Sequence, residues 1–447
     1  EAGWTTEKYY LLRDLLKTYL PAGEALPEVP AAMPVIEVPE FHFTKVAPLF
    51  SNLPDAKQSV DIQPMEQFNQ GWGTILYRTT LPEAVTSGTT LKITEVHDWA
   101  QIYADGKLLA RLDRRKGEFT TILPALKKGT QLDILVEAMG RVNFDKSIHD
   151  RKGITEKVEL LSGNQVKELK NWTVYNFPVD YSFIKNKNYK DTKILPTMPA
   201  YYRSSFKLDK VGDTFLDMST WGKGMVWVNG HAMGRFWEIG PQQTLFIPGC
   251  WLKEGENEIL VLDLKGPTKS SIKGLKKPIL DVLREKAPET HRKDGEKLKL
   301  TGEKVGHEGA FTPGNGWQEV RFATPVKGRY FCLEALSPQA NDNIAAIAEF
   351  DVLGADGKPV SREHWKIRYA DSEETRSGNR TADKIFDLQE STFWMTVDNV
   401  PYPHQLVIDL SKVENVTGFR YLPRAEKGYP GMIKEYRVYV KPADFNY

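Results

Sequence analysis

The sequence WGKGMVWVNGHAMGRFWEIGPQQTLFIPG, residues 221–249, carries the strongest fold signal in the chain. Met225 and Trp227 alternate with their neighbours as the side chains of a half-buried strand do. Asn229-Gly230 follows this strand, and Asn-Gly tolerates the two positive φ angles of a type I′ turn. The stretch therefore predicts a tight β-hairpin in the core of a β-sandwich.

The same stretch has an alternative interpretation as a binding site, because aromatic faces suit the apolar side of a pyranose. Its aromatic candidates are Trp221, Trp227, Phe236 and Trp237. His231 and Glu238 could also suggest acid–base chemistry, but such a pair must converge on one reacting bond, and strand geometry separates them. We therefore favour the structural interpretation of this stretch.

A second stretch, QIYADGKLLARL at 101–112, has the same plan as MVWVNGHAMGRF at 225–236. Each runs from an apolar strand through Asx-Gly into a strand with a basic residue and a final apolar one. This predicts two copies of one β-sandwich unit. Asp356-Gly357 marks a third hairpin candidate farther along the chain.

Composition limits the classes of function. The chain has 447 residues, which favours roughly three domains. Its 60 basic and 59 acidic side chains nearly balance, so charge gives no reason to expect nucleic acid as a partner. Cys250 and Cys332 lie too far apart in sequence to form a disulfide framework, and no apolar run reaches the roughly 20 residues of a membrane span.

The first segment predicts a helix within residues 1–20. Tyr9, Leu12, Leu16 and Tyr19 recur at helical spacing, Thr5 or Thr6 can cap the start, and Pro21 ends the segment. An apolar stripe of this kind must pack on another surface or stay exposed.

The remaining chain divides by composition into strand-rich blocks and connectors. We predict a short helix in PILDVLREK, residues 278–286, and we interpret the acids Glu373 and Glu374 as solvated loop charges. The expected divisions are an extended crossover at 21–65, a first β-sandwich at 66–165, a second at 166–268 that includes a strand from 35–48, a helical and charged connector at 269–298, and an all-β domain at 299–447.

Two blocks resemble the non-barrel part of glycoside hydrolase family 35 β-galactosidases. DTFLDMSTWGKGMVWVNGHAMGRFWEIGPQQTLFIPGCWLKEGENEILVLDL at 213–264 is similar to the second β-sandwich of that family. LDILVEAMGRVNFDKSIHDRKGITEKVEL at 132–160 and QGWGTILYRT at 70–79 are similar to the first. EAGWTTEKYYLLRDLLK at 1–17 resembles the helix after the eighth strand of the catalytic (β/α)8 barrel. The implied fold is mostly β, with tandem jelly-roll, galactose-binding-like sandwiches and one helix left from the barrel.

The resemblance also implies a function. Members of the family are retaining exo-β-galactosidases, whose two catalytic glutamates lie on barrel strands upstream of that helix. We therefore assign no catalytic residue here, and we expect an accessory region that binds β-galactoside glycans and packs on the missing barrel. The resemblance implies no cofactor; it leaves metal binding open and is consistent with export from the cytoplasm. We expect Arg141, Asn143 and Phe144 to form the rim of the active site, and the alternative is that Arg141 and Asn143 only brace their loop.

The last block resembles a discoidin-like (F5/8 type C) β-sandwich. The resemblance rests on ADKIFDLQESTFWMT at 382–396, PHQLVIDLSKVENVTGFRYLPR at 403–424 and GMIKEYRVYV at 431–440. It implies structural roles for Asp387, Thr392, Trp394 and Arg424, while Met395 stands where many relatives carry a His. Loop position makes four residues candidates for sugar binding: Trp365, Asn379, Arg380 and Tyr429. A free-standing carbohydrate-binding or adhesion protein is therefore the alternative function.

Overall fold

A computed structural model describes residues 4–144, 148–163, 165–192, 196, 198–424 and 430–447. The chain forms two compact units, one from Glu1–Pro54 with Pro178–Lys286 and one from Asp55–Phe177 with Ala287–Tyr447. Helix is scarce, and strands build both units, as the sequence predicts. Short 3-10 turns lie at Leu49–Ser51, Met65–Phe68, Arg114–Lys116, Gly249–Trp251 and Ala382–Phe386.

The predicted N-terminal helix forms as α1, Glu7–Lys17. Thr6 is its N-cap, and the Thr6 side chain accepts a hydrogen bond from the Tyr9 amide. None of its eleven residues, all of them described, is buried. After the extended segment come β1 (Val38–His42) and β2 (Lys45–Pro48).

The first sandwich occupies the start of the second unit. Its strands are β3 (Ala56–Ser59), β4 (Gly73–Thr80), β5 (Thr90–His97), β6 (Trp99–Ala104), β7 (Lys107–Asp113), β8 (Thr120–Ile122), β9 (Gln131–Ala138), β10 (Gly153–Ser162), β11 (Gln165–Glu168) and β12 (Trp172–Phe177). One sheet has the order β3-β12-β4-β9-β6-β7 and the other β11-β10-β5-β8. Apolar side chains from both sheets, Tyr77 and Trp172 among them, form one core.

The second sandwich has the same plan. A short helix, α2 (Tyr181–Ile184), precedes β13 (Lys190–Asp191), β14 (Ala200–Leu208), β15 (Thr214–Asp217), β16 (Lys223–Val228), β17 (His231–Trp237), β18 (Thr244–Ile247), β19 (Gly255–Asp263) and β20 (Ser271–Leu275). The sheets have the orders β13-β2-β14-β19-β16-β17 and β1-β20-β15-β18. The predicted strand from 35–48 thus joins this sandwich as β1 and β2. Trp221 lies in its core, with edge contacts to Phe43 and Tyr202.

Both predicted Asx-Gly turns form, each at the edge of the larger sheet of its sandwich. The φ angles are 46° and 77° at Asp105 and Gly106, and 49° and 88° at Asn229 and Gly230. These left-handed angles are those of a type I′ hairpin, which explains the choice of Asx and Gly.

The two hairpins also share details that the sequence pattern does not show. A bulge leaves Leu109 as the extra residue in one hairpin and Met233 in the other, at matching positions. The Asx carboxyl or amide oxygen accepts the amide of the next strand in each copy, from Gln131 at 2.9 Å and from Glu258 at 3.0 Å. The predicted repeat is therefore a repeat of structure.

The C-terminal domain, residues 287–447, belongs to the second unit. Its strands are β21 (His307–Ala310), β22 (Gln318–Ala335), β23 (Ala346–Ile347), β24 (Glu349–Leu353), β25 (Lys366–Ala370), β26 (Trp394–Met395), β27 (His404–Leu422) and β28 (Glu435–Lys441). The main sheet has the order β21-β28-β22-β27-β24, with β25 also on β27 and a small β23-β26 pair. Phe331, Phe350, Trp394 and Phe419 lie in its core.

The structure differs from the sequence predictions in the connecting regions. The crossover expected at 21–65 contains β3, which pairs with β12 of the first sandwich, and the connector expected at 269–298 contains β20, which pairs with β1 and β15 of the second. The helix predicted at 278–286 does not form, because backbone groups of this segment bond to another segment; Gln243 N donates to Ile279 O, and Val282 N donates to Pro241 O. The division expected between 165 and 166 also moves. Strands β11 and β12 pair with β10 and β4, so both belong to the first sandwich.

Candidate functional site

The loop between β9 and β10 rests on a buried cluster of charges. Lys152 is fully buried, and its Nζ lies 2.7 Å from Asp98 Oδ2 and 2.7 Å from Asp150 Oδ2. Arg114 Nη1 lies 2.8 Å from Asp98 Oδ1 and 2.7 Å from Asp150 Oδ1. Two cations thus alternate with two carboxylates, the arrangement that makes burial of charge tolerable.

The charge state of Asp150 follows from these contacts. Burial favours the neutral carboxyl, but hydrogen bonds from Lys152 and Arg114 outweigh that effect and lower the pKa of Asp150 to about 2. The side chain is therefore an anion at neutral pH. It cannot serve as a general acid there.

The same carboxylates hold the backbone of the loop. Met139 N donates to Asp98 Oδ2 at 2.7 Å, and Val142 N donates to Asp150 Oδ2 at 3.2 Å. Beyond these anchors the loop presents apolar side chains to solvent, with Phe144 81% exposed and Ile148 57% exposed. The hydrogen-bonded base thus carries two exposed apolar side chains, Phe144 and Ile148.

The three predicted rim residues have different environments. Arg141 donates to Asp150 O at 2.6 Å and to Gly71 O at 2.7 Å, and its Nη2 lies 2.6 Å from Glu66 Oε1. Its guanidinium therefore braces the loop. Asn143 and Phe144 are exposed and are free to meet another molecule.

Sequence reasoning missed Lys152, Asp98 and Asp150 as the base of this loop. Charged side chains at the ends of strands are usually solvated, and only the fold brings Asp98 next to Asp150 and Lys152. The sequence signal available was the Asp-Arg-Lys-Gly run directly before β10.

The predicted sugar-binding residues of the C-terminal domain do not form one exposed face. Trp365 is only 6% exposed and packs edge-on against Phe386, so its ring face is not available for stacking. Asn379 Nδ2 donates to Lys116 O of the first sandwich at 3.0 Å, and Arg380 lies over the ring of Phe393. Tyr429 lies outside the described residues.

Asn379 and Arg380 line a crevice of about 300 Å³ at the junction of the C-terminal domain and the first sandwich. The first sandwich contributes Glu95, Arg114 and Arg115 to the same crevice. A second crevice of about 560 Å³ at this junction includes Trp365 in its lining. Trp365, Asn379 and Arg380 thus lie at the junction with the neighbouring sandwich.

The positions given structural roles behave accordingly. Thr392 Oγ1 donates to Asp387 Oδ2 at 2.8 Å, and Trp394 Nε1 donates to Ser372 O at 3.0 Å. Burial raises the pKa of Asp387 to about 6. Arg424 lies over the Phe393 ring, and its Nη1 is 3.8 Å from the sulfur of Met395.

The interpretation of Glu373 as a solvated charge is wrong. Glu373 is buried, and its carboxylate faces His291 Nδ1 at 2.8 Å and accepts the Ala382 amide at 2.7 Å. A carboxylate with three bonding partners is stable inside the fold. Glu374 caps the next turn by accepting the Ser377 amide at 3.0 Å.

The polar residues of the 221–249 stretch do not form a catalytic pair. His231 stacks on Trp251 with ring centroids 4.7 Å apart, while Glu238 pairs with Lys265. Trp227 is buried, as the structural interpretation requires.

No group of three or more His, Cys, Asp or Glu side chains among the described residues could hold a metal ion. No helix in the described part of the chain has the length and apolar character needed to cross a bilayer.

Comparison with protein families identifies three matching regions. Residues 63–178 match the first all-β domain of β-galactosidase, and residues 199–257 match the β-galactosidase galactose-binding domain. Residues 369–447 match the F5/8 type C domain. These matches confirm the resemblances drawn from the sequence and fall on the three β domains described above.

Curated relatives include β-galactosidase 1 of Dictyostelium discoideum, 32% identical over 293 residues, which are 59% of this chain and 43% of that protein. The β-galactosidase of Bos taurus is 31% identical over 337 residues, 65% of this chain and 48% of that protein. The chain therefore spans less than half the length of these relatives. Among solved structures, a Streptomyces avermitilis α-L-rhamnosidase aligns with 90% of this chain and 46% of that chain at 11% identity, but its TM-score of 0.19 is too low to support any argument.

Proposed function

Because this chain carries two all-β domains of β-galactosidases and an F5/8 type C domain, we propose that it is the accessory region of a retaining exo-β-galactosidase. The observation that carries the proposal is the anchored loop between β9 and β10, in which the side chain of Phe144 is exposed. In barrel enzymes, loops and neighbouring segments at the carboxyl ends of the strands shape the active site. Phe144 would provide an apolar wall for the sugar there.

Under this proposal the hydrolytic chemistry belongs to a (β/α)8 barrel. Retaining cleavage needs two carboxyl groups about 5 Å apart on either side of the glycosidic bond. The paired acids of the first sandwich, Asp98 and Asp150, are instead bridged by Lys152 and Arg114. In the C-terminal domain, Asp351 is held by Arg362.

The exposed stripe of α1 supports the same proposal. Leu12 and Leu16 are 51% and 56% exposed, an unusual state for leucines on one face of a helix. A barrel would cover this face.

The second candidate function is galactoside binding by the C-terminal domain itself. It is favoured by the polar crevice that Asn379 and Arg380 line. Titrating lactose into the chain by calorimetry tests this function. Binding that an Asn379→Ala variant weakens would support it, whereas no heat at millimolar lactose would exclude it.

A chimera tests the main proposal. This chain would replace the matching region of Dictyostelium β-galactosidase 1. Hydrolysis of a chromogenic β-galactoside would be measured for the chimera with the wild-type sequence and for the chimera with Phe144→Ser. We expect an active chimera whose kcat/KM falls about tenfold in the variant, the scale of one lost apolar contact to a sugar. Val166→Ser is the control, since Val166 is 61% exposed on β11 of the same sandwich. Equal kcat/KM for Phe144 and Phe144→Ser would contradict the assigned role.

A further inference from the structure

Glu95 is a contact between the first sandwich and the C-terminal domain. One oxygen of its carboxylate, Oε1, accepts hydrogen bonds from Gln389 Nε2 and Ser391 Oγ, both at 3.1 Å. Its φ of 56° lies in the left-handed region, which is unfavourable for a residue with a Cβ. Glu95 is therefore a strained residue on a strand that the neighbouring domain holds through one carboxylate oxygen.

That second oxygen, Glu95 Oε2, lies 2.9 Å from His97 Nε2. The other ring nitrogen, His97 Nδ1, lies 2.5 Å from Arg151 O and 3.4 Å from Asp150 Oδ1. Carbonyl and carboxylate oxygens only accept, so the imidazole donates from both nitrogens when it makes both bonds. His97 thereby links Glu95 to the end of the 139–152 loop.

The last step reaches the loop backbone. Asp150 accepts the Val142 amide, and its backbone oxygen accepts from Arg141. A path of hydrogen bonds, with one ion-pair contact of 3.4 Å between His97 and Asp150, therefore runs from Gln389 and Ser391 through Glu95 to the Val142 amide.

We propose that the C-terminal domain positions the 139–152 loop through Glu95, which acts as a positioning residue and touches no reacting atom. The value of this coupling for catalysis rests on the proposed function. The coupling itself can be measured on this chain without any substrate.

Hydrogen exchange of the full chain is the test, because the Val142 amide bonds to Asp150 at the end of the path. The Met139 amide bonds to Asp98, which Lys152 and Arg114 bridge to Asp150. In a Gln389→Ala, Ser391→Ala double variant we expect peptides over 139–144 to exchange roughly tenfold faster. Peptides from β4 and β9 should keep the wild-type rate, and the melting temperature should not change. A loss of general stability would instead accelerate every peptide.

Three further variants sharpen the test. Asn379→Ala removes another contact across the same junction, so it should leave the loop peptides unchanged. Ser391→Thr, made alone with Gln389 intact, keeps the hydroxyl, and its loop peptides should exchange at the wild-type rate. Gln389→Glu sets a second carboxylate against Glu95 and should give the fastest exchange at the loop.

Wild-type exchange at 139–144 in the double variant would overturn the coupling, as would equal acceleration of all peptides. An inactive chimera with intact coupling would overturn only the proposed function. The two failures are therefore distinguishable.

Discussion

Lys152 lies at the centre of the buried charge cluster. Its ammonium is fully buried between two carboxylates, and without it Asp98 would keep only Arg114 as an ion-pair partner, while Asp150 would keep Arg114 and His97. A buried ion pair adds little net stability over an apolar pair, but an uncompensated buried charge is costly.

Lys152→Met should therefore lower the free energy of unfolding by about 3–5 kcal/mol. Urea denaturation checks this. Lys170→Met is the matched control, because Lys170 pairs with Asp61 and Glu168 at the surface, where screening by water makes the loss of an ion pair far less costly. Similar costs for the two variants would contradict a buried, balanced cluster.

The lowered pKa of Asp150 predicts how the free energy of unfolding changes with pH. Its pKa in the folded protein is lowered to about 2 from an ordinary value of 3.8. The contribution of Asp150 to stability is complete at pH values above its pKa in the unfolded chain. It is lost as the pH falls through its pKa in the folded protein. The difference in unfolding free energy between wild type and Asp150→Asn should therefore shrink between pH 4 and pH 2. A difference that stays constant over this range would show that Asp150 is not the titrating group.

At this scale the sequence predicted exposed groups better than buried ones. Resemblance pointed to Phe144, whose side chain is exposed, and to Arg141, whose alternative role as a brace matches its contacts. The burial of Lys152 was missed, and Glu373 was interpreted as a solvated charge, because their partners Asp98 and His291 lie 54 and 82 residues away in the chain.

Among the elements, the two Asx-Gly hairpins were predictable because their conformation is a local property. The prediction of a helix at 278–286 was wrong because the conformation there is not a local property. Hydrogen bonds to residues 239–243 override a weak local preference for helix. Strand order was beyond prediction, because pairings such as β12 with β4 join segments about a hundred residues apart.

Gly106→Ala should measure the local strain of a hairpin. No heavy atom lies within 4 Å of a Cβ added there, so the cost comes from the φ of 77° alone, about 1–2 kcal/mol. Gly316→Ala is the control, for it has equal space and no left-handed φ. An equal drop in melting temperature for the two variants would refute backbone strain as the cause.

Helix α1 gives an opposite prediction, because none of its residues is buried among the described residues. Replacing Leu12 and Leu16 together with Ser should change the free energy of unfolding by less than about 0.5 kcal/mol. Leu216→Ala, at a fully buried position of the second sandwich, should cost about 2–5 kcal/mol. A large loss from the helix variant would mean that the stripe is already covered.

For the whole molecule, the three β domains match regions of known families, yet their fold does not by itself assign a function. Asp98, Asp150 and Asp351 lie against Lys or Arg side chains, while Phe144 and two leucines of α1 are exposed. Both features suit a region that shapes and supports a catalytic barrel.

The most direct measurement is hydrolysis of a chromogenic β-galactoside by this chain, purified by itself, beside the chimera with the Dictyostelium barrel. We predict turnover by the chimera and none by the chain. Turnover by the chain that persists through repurification would contradict the account.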